Sequence, residues 1–460
     1  MYFCFSLKNF TFIRFGLKSV KKFYKKAKIS HIFLKIIGLH VCFFAGLNLY
    51  ATALQVDVSA KSGILINAKT GAVLWEKKPH ELMYPASTTK MITALYAYEK
   101  KGGHLHETVV APYDAVCAVA PHIKRNSGMN HPPYRLEFGG THMGIQTGEE
   151  LSFRSLLEGL LLASGNDAAN VIAHYVSGSI DAFMDEMNRF VKEKGCFHTT
   201  LYQPHGLPHP EHKTTAYDLA LLAREFLRHP TLAQIAGLRQ AVRPKTNKQG
   251  ETLLSQHNAL LRPGRFYYPK AKGIKTGYTV DAGYCIVTAA EDEHRELVVV
   301  LLGCSSLAQR YQDAIALFDA AFNEQLVQRV LLPKGCDVFV HNYKEGAEPL
   351  KAVLQEAAVI HYYPSEEPVL KTQLIWDPVV FPVREGQKVG CLEVKEEGQR
   401  LVASFPIIAV KSVGAAWGYR FLKLWQGARG SILMGALGLM ILGGLGYKYG
   451  RRSYKNHPRN

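Results

Sequence analysis

A chain of 460 residues, 47% of them hydrophobic, can bury at least one full-sized core, and its length suggests two or three domains. Its formal charge of +17 is concentrated at the ends: residues 1–50 carry nine Lys or Arg and no acid, and residues 411–460 carry nine more, again without an acid. Between them 37 bases face 38 acids, so the body offers no footprint for a phosphate backbone and a nucleic-acid partner is excluded.

From the N-terminus, a basic stretch (Lys18 to Lys35) precedes an apolar run, Ile36 to Leu49, and then Ala51-Thr52-Ala53. Small residues at the first and last positions of that triplet predict an export signal over 1–53, cleaved after Ala53, with an uncleaved anchor as the plainer alternative. Ser62 to Glu76 alternates around Ala68-Lys69-Thr70-Gly71 and predicts a hairpin. Pro85 precedes a helical stretch, Thr88 to Lys101. Residues 117–146, rich in His, Pro, Gly and Asn, read as a long surface loop. Leu151 to Val176 reads as helix, and Thr215 with Asp218 opens another as a capping-box variant. Gly273 to Ala290 and Leu297 to Gly303 read as adjacent strands, followed by helix from Ala308 to about Val327.

After Pro333 the texture changes to short β-like runs, Asp337 to His341, Ala358 to Tyr363, Val379 to Val383 and Val389 to Val394, which predict a small β-rich domain over 333–410. In 411–460, Trp417, Phe421, Leu424 and Trp425 share one helical face beside Arg420 and Lys423. Ser431 to Tyr447 then runs without a charge, and Lys448, Arg451 and Arg452 follow. That order predicts a C-terminal membrane anchor with the body outside, or an interfacial helix in its place. Six cysteines would remain after cleavage, none in a CxxC pair. Cys336 and Cys391 are the first pair to test for a disulfide.

Three short motifs follow one another: Ser87-Thr88-Thr89-Lys90, Ser164-Gly165-Asn166 and Lys275-Thr276-Gly277. Each alone is weak, since Ser19 and Lys22 repeat the first by chance and Lys69-Thr70-Gly71 repeats the last. Order and context lift the set. A serine hydroxyl is a poor nucleophile until a neighbouring base takes its proton. Ser87 and Lys90, three residues apart on a helix, share a face. Lysine serves as base only when neutral, which burial and a nearby cation such as Lys275 favour. Ser87 at a helix N-terminus also places its own N–H where an oxyanion can be held.

With Pro85-Ala86 before the first motif, Asp167-Ala168 after the second, His205-Gly206-Leu207-Pro208 between, and Gly273-Ile274 before the last, the chain resembles the low-molecular-mass penicillin-binding proteins of the D-alanyl-D-alanine carboxypeptidase type. The likeness covers roughly residues 55–410. It implies an α/β fold of the penicillin-recognising serine-transferase kind: an antiparallel sheet flanked by helices, a helical subdomain carrying Ser164, and the β-rich domain behind a catalytic domain at 54–332. The implied activity is removal of the terminal D-Ala from peptidoglycan stem pentapeptides through an acyl-enzyme. β-Lactams are the implied inhibitors, and no cofactor or metal takes part.

By the same resemblance Ser87 is the nucleophile, Lys90 its base and Ser164 the proton relay to the leaving group. Asn166 orients Lys90 and the substrate amide. Lys275, Thr276 and Gly277 form the strand that receives the terminal carboxylate, Tyr278 lends its N–H to the oxyanion hole, and Arg310 helps position that carboxylate. Location at the periplasmic face of the inner membrane follows from the same likeness. His122, His131 and His142 in the 117–146 loop could hold a metal, but scattered loop histidines are more often solvated. Two other readings compete. A serine β-lactamase is disfavoured because no Glu-x-x-Leu-Asn follows Ser164. A non-catalytic envelope scaffold would need only the surface.

Overall fold

Leu297-Val298-Val299-Val300-Leu301-Leu302 is an unbroken apolar run, which suits a strand buried on both faces. It becomes the middle of a five-stranded antiparallel sheet. The structure, a computed structural model, describes residues 53–423 and Gln426, apart from 121, 123–131, 336–337 and 397–399. The expected leader up to residue 52, the charge-free C-terminal run, Leu424, Trp425, His131 and Cys336 lie outside these residues.

The sheet contains β1 (Ser62–Asn67), β2 (Val73–Lys77), β3 (Ala271–Thr279), β4 (Gly283–Glu291) and β5 (Glu296–Cys304), in the order β2-β1-β5-β4-β3. On β5, Leu297, Val299 and Leu301 pack with Tyr311, Leu317 and Phe318 of the helix Leu307–Phe322. Val298, Val300 and Leu302 face the other way, into a larger core. That core receives helices α1 (Thr89–Lys101), α2 (Phe153–Leu161), α3 (Asn166–Ser177), α4 (Ile180–Glu193), α5 (Ala216–Leu227) and α6 (Pro230–Gly237). Leu307–Phe322 is α7. The caps are local: the Ser152, Ser179, Thr215 and Ser306 hydroxyls each accept an N–H of their own first turn, and Gly102 ends α1 in the left-handed region.

A second five-stranded antiparallel sheet, β6 (Phe339–His341), β7 (Leu350–Leu354), β8 (Leu370–Trp376), β9 (Lys388–Glu396) and β10 (Leu401–Ala409), has the order β6-β7-β10-β9-β8 and its own core around Leu350, Val389, Val394 and Ile407. Val327–Leu332 pairs antiparallel with Ala358–Tyr362, across position 332. The fold is mixed α/β with antiparallel sheets flanked by helices, as the sequence led us to expect.

Several elements differ from their sequence reading. The stretch 151–176 is a short strand, Glu150–Ser152, then α2 and α3, broken where Ser164 takes φ +60°. The run 273–290 is two strands, because Thr279 caps a turn by accepting the Ala282 N–H and Gly283 takes φ +68°. The last catalytic-side helix stops at Phe322, and Val327, expected at its end, begins a strand. Residues 379–383 form no strand; Phe381 and Val383 are core residues, and Val383 makes an isolated bridge to Val413. The described residues of 117–146 are mostly irregular, but Ala118–Val119 pairs in parallel with Leu136–Glu137. Cys391 is a free thiol, as are Cys117, Cys196, Cys285 and Cys304. Residues 417–423 are helical, with Trp417 and Phe421 exposed and stacked at 6.0 Å. Among the described residues no helix is long and apolar enough to cross a membrane.

Candidate active site

Pro85 and Ala86, the latter at φ +50°, lead into a 3-10 turn, Ala86–Thr88, that runs straight into α1 and carries Ser87 at its head. Side chains hold this turn. The Thr88 hydroxyl donates to the Pro85 carbonyl at 2.7 Å, and the Thr89 hydroxyl donates to that of Ala86 at 2.9 Å. His212 Nδ1 accepts the Tyr202 N–H at 3.0 Å, so the ring proton sits on Nε2 and is given to Thr89 Oγ1, also at 3.0 Å. Burial, and then His209, hold the His212 ring down at about 3, which keeps it neutral in this role.

Two glycines let backbone approach this turn. At Gly206, φ +85°, an added Cβ would stand 1.9 Å from the Ala86 carbonyl oxygen. At Gly277 it would stand 2.9 Å from the Ser87 amide nitrogen.

Lys90 lies one helical turn after Ser87 and is fully buried. Its Nζ is 2.9 Å from Ser87 Oγ and donates to Asn166 Oδ1 and to the His205 carbonyl, both at 2.7 Å. Burial first, and the Lys275 charge second, hold its pKa well below the ordinary lysine range, with Asp167 pulling the other way. A neutral amine has two N–H groups and one lone pair. The two carbonyl oxygens accept the two hydrogens, so the lone pair is left for Ser87.

Lys275 on β3 is buried, with Nζ donating to the Thr276 carbonyl at 2.8 Å. Burial and then Arg310 push its pKa down to about 7. Arg310 on α7 donates to the carbonyls of Gly277 at 3.2 Å and Cys285 at 3.3 Å, and to the Tyr311 hydroxyl at 2.7 Å. Its buried Nε has no partner among the described residues.

Ser87, Ser164, Asn166, Thr276, Gly277, Tyr278 and Arg310 line one cleft of about 720 Å³. Lys90 and Lys275 lie behind its walls. All nine residues expected from sequence therefore meet at one place, although Lys90 and Lys275 do not themselves line the cleft.

Sequence reasoning missed the partners that hold them. The His205 carbonyl, one of the two acceptors on Lys90, belongs to the His205-Gly206-Leu207-Pro208 stretch, to which the sequence assigned no contact. Asp167 ties down the loop that follows the cleft-lining Gly140 and Thr141 by accepting the N–H groups of Met143 at 3.0 Å, Gly144 at 2.9 Å and Ile145 at 3.0 Å. Thr141 donates its hydroxyl to the Ser164 carbonyl at 2.9 Å. His257 also lines the cleft; although its ring is open there, surrounding protein and the cations led by Lys275 hold its pKa down to about 4. Only Asp167 had a local signal, its place beside Asn166. Of the loop histidines, His142 bonds the Glu137 carbonyl at 2.9 Å and His122 is exposed.

A serine bonded to a buried amine, at the head of a helix and against the edge strand of an antiparallel sheet, defines the class: a serine hydrolase of the penicillin-recognising fold. Residues 50–306 match the family model of D-alanyl-D-alanine carboxypeptidases, peptidase family S11, and the chain belongs to that family. It is 29% identical over 381 residues to D-alanyl-D-alanine carboxypeptidase DacF of Bacillus subtilis, covering 80% of this chain and 89% of that one. It is 26% identical over 376 residues to DacD of Escherichia coli, covering 81% and 91%. Among solved structures, DacD from Francisella tularensis superposes with a TM-score of 0.54 at 24% identity, over 81% of this chain and 100% of that one. Penicillin binding protein 6B from Escherichia coli gives 0.55 at 23% identity, over 77% and 97%.

Proposed function

We propose that the protein is a serine-type D-alanyl-D-alanine carboxypeptidase that uses Ser87 to remove the terminal D-Ala from peptidoglycan stem pentapeptides. One observation carries the reading: the Lys90 amine is buried, with Ser87 Oγ at 2.9 Å and two carbonyl oxygens claiming its hydrogens.

The Lys90 lone pair takes the Ser87 proton as Oγ attacks the carbonyl carbon of the penultimate D-Ala. The oxyanion is held by the N–H groups of Ser87 and Tyr278. The C–N bond then breaks, the departing amine receives a proton relayed through Ser164, and free D-Ala leaves. Water adds to the Ser87 ester by the same proton path in reverse, which frees the shortened peptide. Thr276 and Arg310 bind the terminal carboxylate, with the Lys275 charge behind the cleft wall attracting it. Charge-assisted contacts of this kind are strong and directional, and they demand a free C-terminus. A β-lactam presents the same carbonyl and carboxylate, so it acylates Ser87 and inhibits. Ser87→Ala abolishes D-Ala release from a pentapeptide ending in D-Ala-D-Ala; full release from that variant rejects the mechanism.

The same reading assigns export to residues 1–53, catalysis to 54–332, a small β-domain to 333–410, and attachment to the periplasmic face of the inner membrane to 411–460. The exposed Trp417–Phe421 pair is the supporting observation for attachment. Fractionation of cells expressing the full chain or a chain ending at 410 tests it: membrane association is expected of the first and not of the second.

A further inference from the structure

His257 lines the cleft together with Ser87, Ser164, Thr276 and Arg310, and the proposed reaction leaves it idle. Its backbone is pinned on both sides. The N–H donates to the Leu162 carbonyl at 3.2 Å, just ahead of Ser164, and the carbonyl accepts the Tyr311 hydroxyl at 3.2 Å. That same hydroxyl accepts from Arg310 at 2.7 Å. The flanking Gln256 and Asn258 are buried, yet the His257 ring is exposed to the cleft. Among the described residues neither of its ring nitrogens has a hydrogen-bond partner.

Burial, and then the charges of Lys275, Arg262, Lys90 and Arg310, hold this ring at about 4. Such influence fades with distance, so a ring that feels Lys275 and Arg310 stands at the end of the cleft that takes the terminal carboxylate. Donors are scarce there. Arg310 spends both hydrogens of one terminal nitrogen on the Gly277 and Cys285 carbonyls and one of the other on Tyr311, and its Nε is buried. Lys275 gives a hydrogen to the Thr276 carbonyl and lies behind the wall. A carboxylate offers about four lone-pair sites, more than the Thr276 hydroxyl and the remainder of Arg310 can fill. At neutral pH the imidazole carries one N–H. A neutral donor adds a directional bond without a further cation to lower the Lys275 pKa, already about 7.

We propose that His257 is a substrate-binding residue, whose ring N–H donates to the terminal carboxylate of the substrate beside Thr276 and Arg310. The inference rests on the carboxypeptidase reading of Ser87 and adds a residue to its carboxylate site.

The test compares a penicillin with its methyl ester, which keeps the reactive carbonyl and lacks the charge. Second-order rates of Ser87 acylation are measured by intact mass for the unsubstituted protein, His257→Ala and His257→Gln. The alanine variant is expected to react roughly tenfold more slowly with the acid and at an unchanged rate with the ester. The glutamine variant, with an amide N–H at similar reach, should keep most of the acid rate. Equal slowing of acid and ester, no slowing of either, or a glutamine variant as slow as the alanine one overturns the assignment. The ester rate reports in each variant whether the fold and the nucleophile are intact. Absence of a Ser87 adduct in the unsubstituted protein rejects the carboxypeptidase reading instead, so the two failures are distinguishable.

Discussion

The α-carbon of Gly277 lies so close to the nucleophile turn that an added Cβ would stand 2.9 Å from the Ser87 amide nitrogen and 3.0 Å from the Ala86 Cβ. Ala86 is held by its bond to Thr89 and by the packing of Gly206. Strand β3 must therefore shift if a methyl is added. Gly277→Ala is expected to lower kcat/KM for D-Ala release by roughly a hundredfold or more, the scale of a lost oxyanion-hole donor, with a circular dichroism spectrum like that of the unsubstituted protein. Unimpaired turnover would show that this close approach has no part in catalysis.

The two buried lysines set opposite limbs of the pH profile. Lys90 works when it has lost its proton, and its pKa is held well below the ordinary range, so activity rises with pH as Lys90 is deprotonated. Lys275 works when charged, and its pKa is about 7, so activity falls as pH climbs through that value. The kcat/KM profile of the free enzyme is expected to be a bell with its alkaline limb near pH 7. Bound carboxylate stabilises charged Lys275, so the same limb in kcat should move to higher pH. A kcat/KM that still climbs above pH 9 is inconsistent with this assignment.

His212 couples stability to acid. Its folded pKa of about 3 lies below the ordinary 6.5, so between those values the unfolded chain binds a proton that the folded protein refuses. Stability from this group is present above pH 6.5 and is lost as pH falls towards 3, a change on the order of 5 kcal/mol. His212→Ala is expected to cost about 2–4 kcal/mol at neutral pH by orphaning the Thr89 hydroxyl and the Tyr202 N–H and opening a cavity. It should also flatten the dependence of melting temperature on pH across that window. An identical acid slope in the variant would contradict the assignment.

Asp167→Asn replaces a carboxylate that accepts three loop N–H groups with an amide whose own NH2 opposes at least one of them. A loss of about 1–3 kcal/mol is expected, with faster hydrogen exchange at Met143, Gly144 and Ile145. Unchanged exchange at those three amides is the result that counts against the role.

The chemistry was more legible in the sequence than the framework. Ser87 and Lys90 could be paired because three residues on a helix fix their geometry. Lys275-Thr276-Gly277 could be told from Lys69-Thr70-Gly71 only by the apolar strand around it; the second copy occupies the exposed turn between β1 and β2. The break at Ser164 was invisible because its neighbours Leu160, Leu161 and Leu162 are apolar enough to suggest continuous helix. β8 shows no regular alternation of exposed and buried positions, and in β7 and β10 the apolar Val353 and Ile408 stand at the less buried positions and blur the alternation, so the three went unread. The His205 carbonyl depends on long-range tertiary packing: it stands 115 residues from the lysine it serves. No local pattern encodes such a contact. The leader up to residue 52 and the charge-free run Ser431 to Tyr447 fall outside the described residues.

At the centre is the transfer of a proton from Ser87 Oγ to the buried amine of Lys90. Incubation of the protein with a penicillin, followed by intact-mass analysis and peptide mapping of unsubstituted, Ser87→Ala and Lys90→Ala forms, tests it most directly. The expected result is one penicilloyl adduct on Ser87 in the unsubstituted protein, none in Ser87→Ala, and acylation of Lys90→Ala slowed by roughly a hundred- to ten-thousandfold. An adduct on another residue, or acylation of Lys90→Ala at the unsubstituted rate, would contradict it.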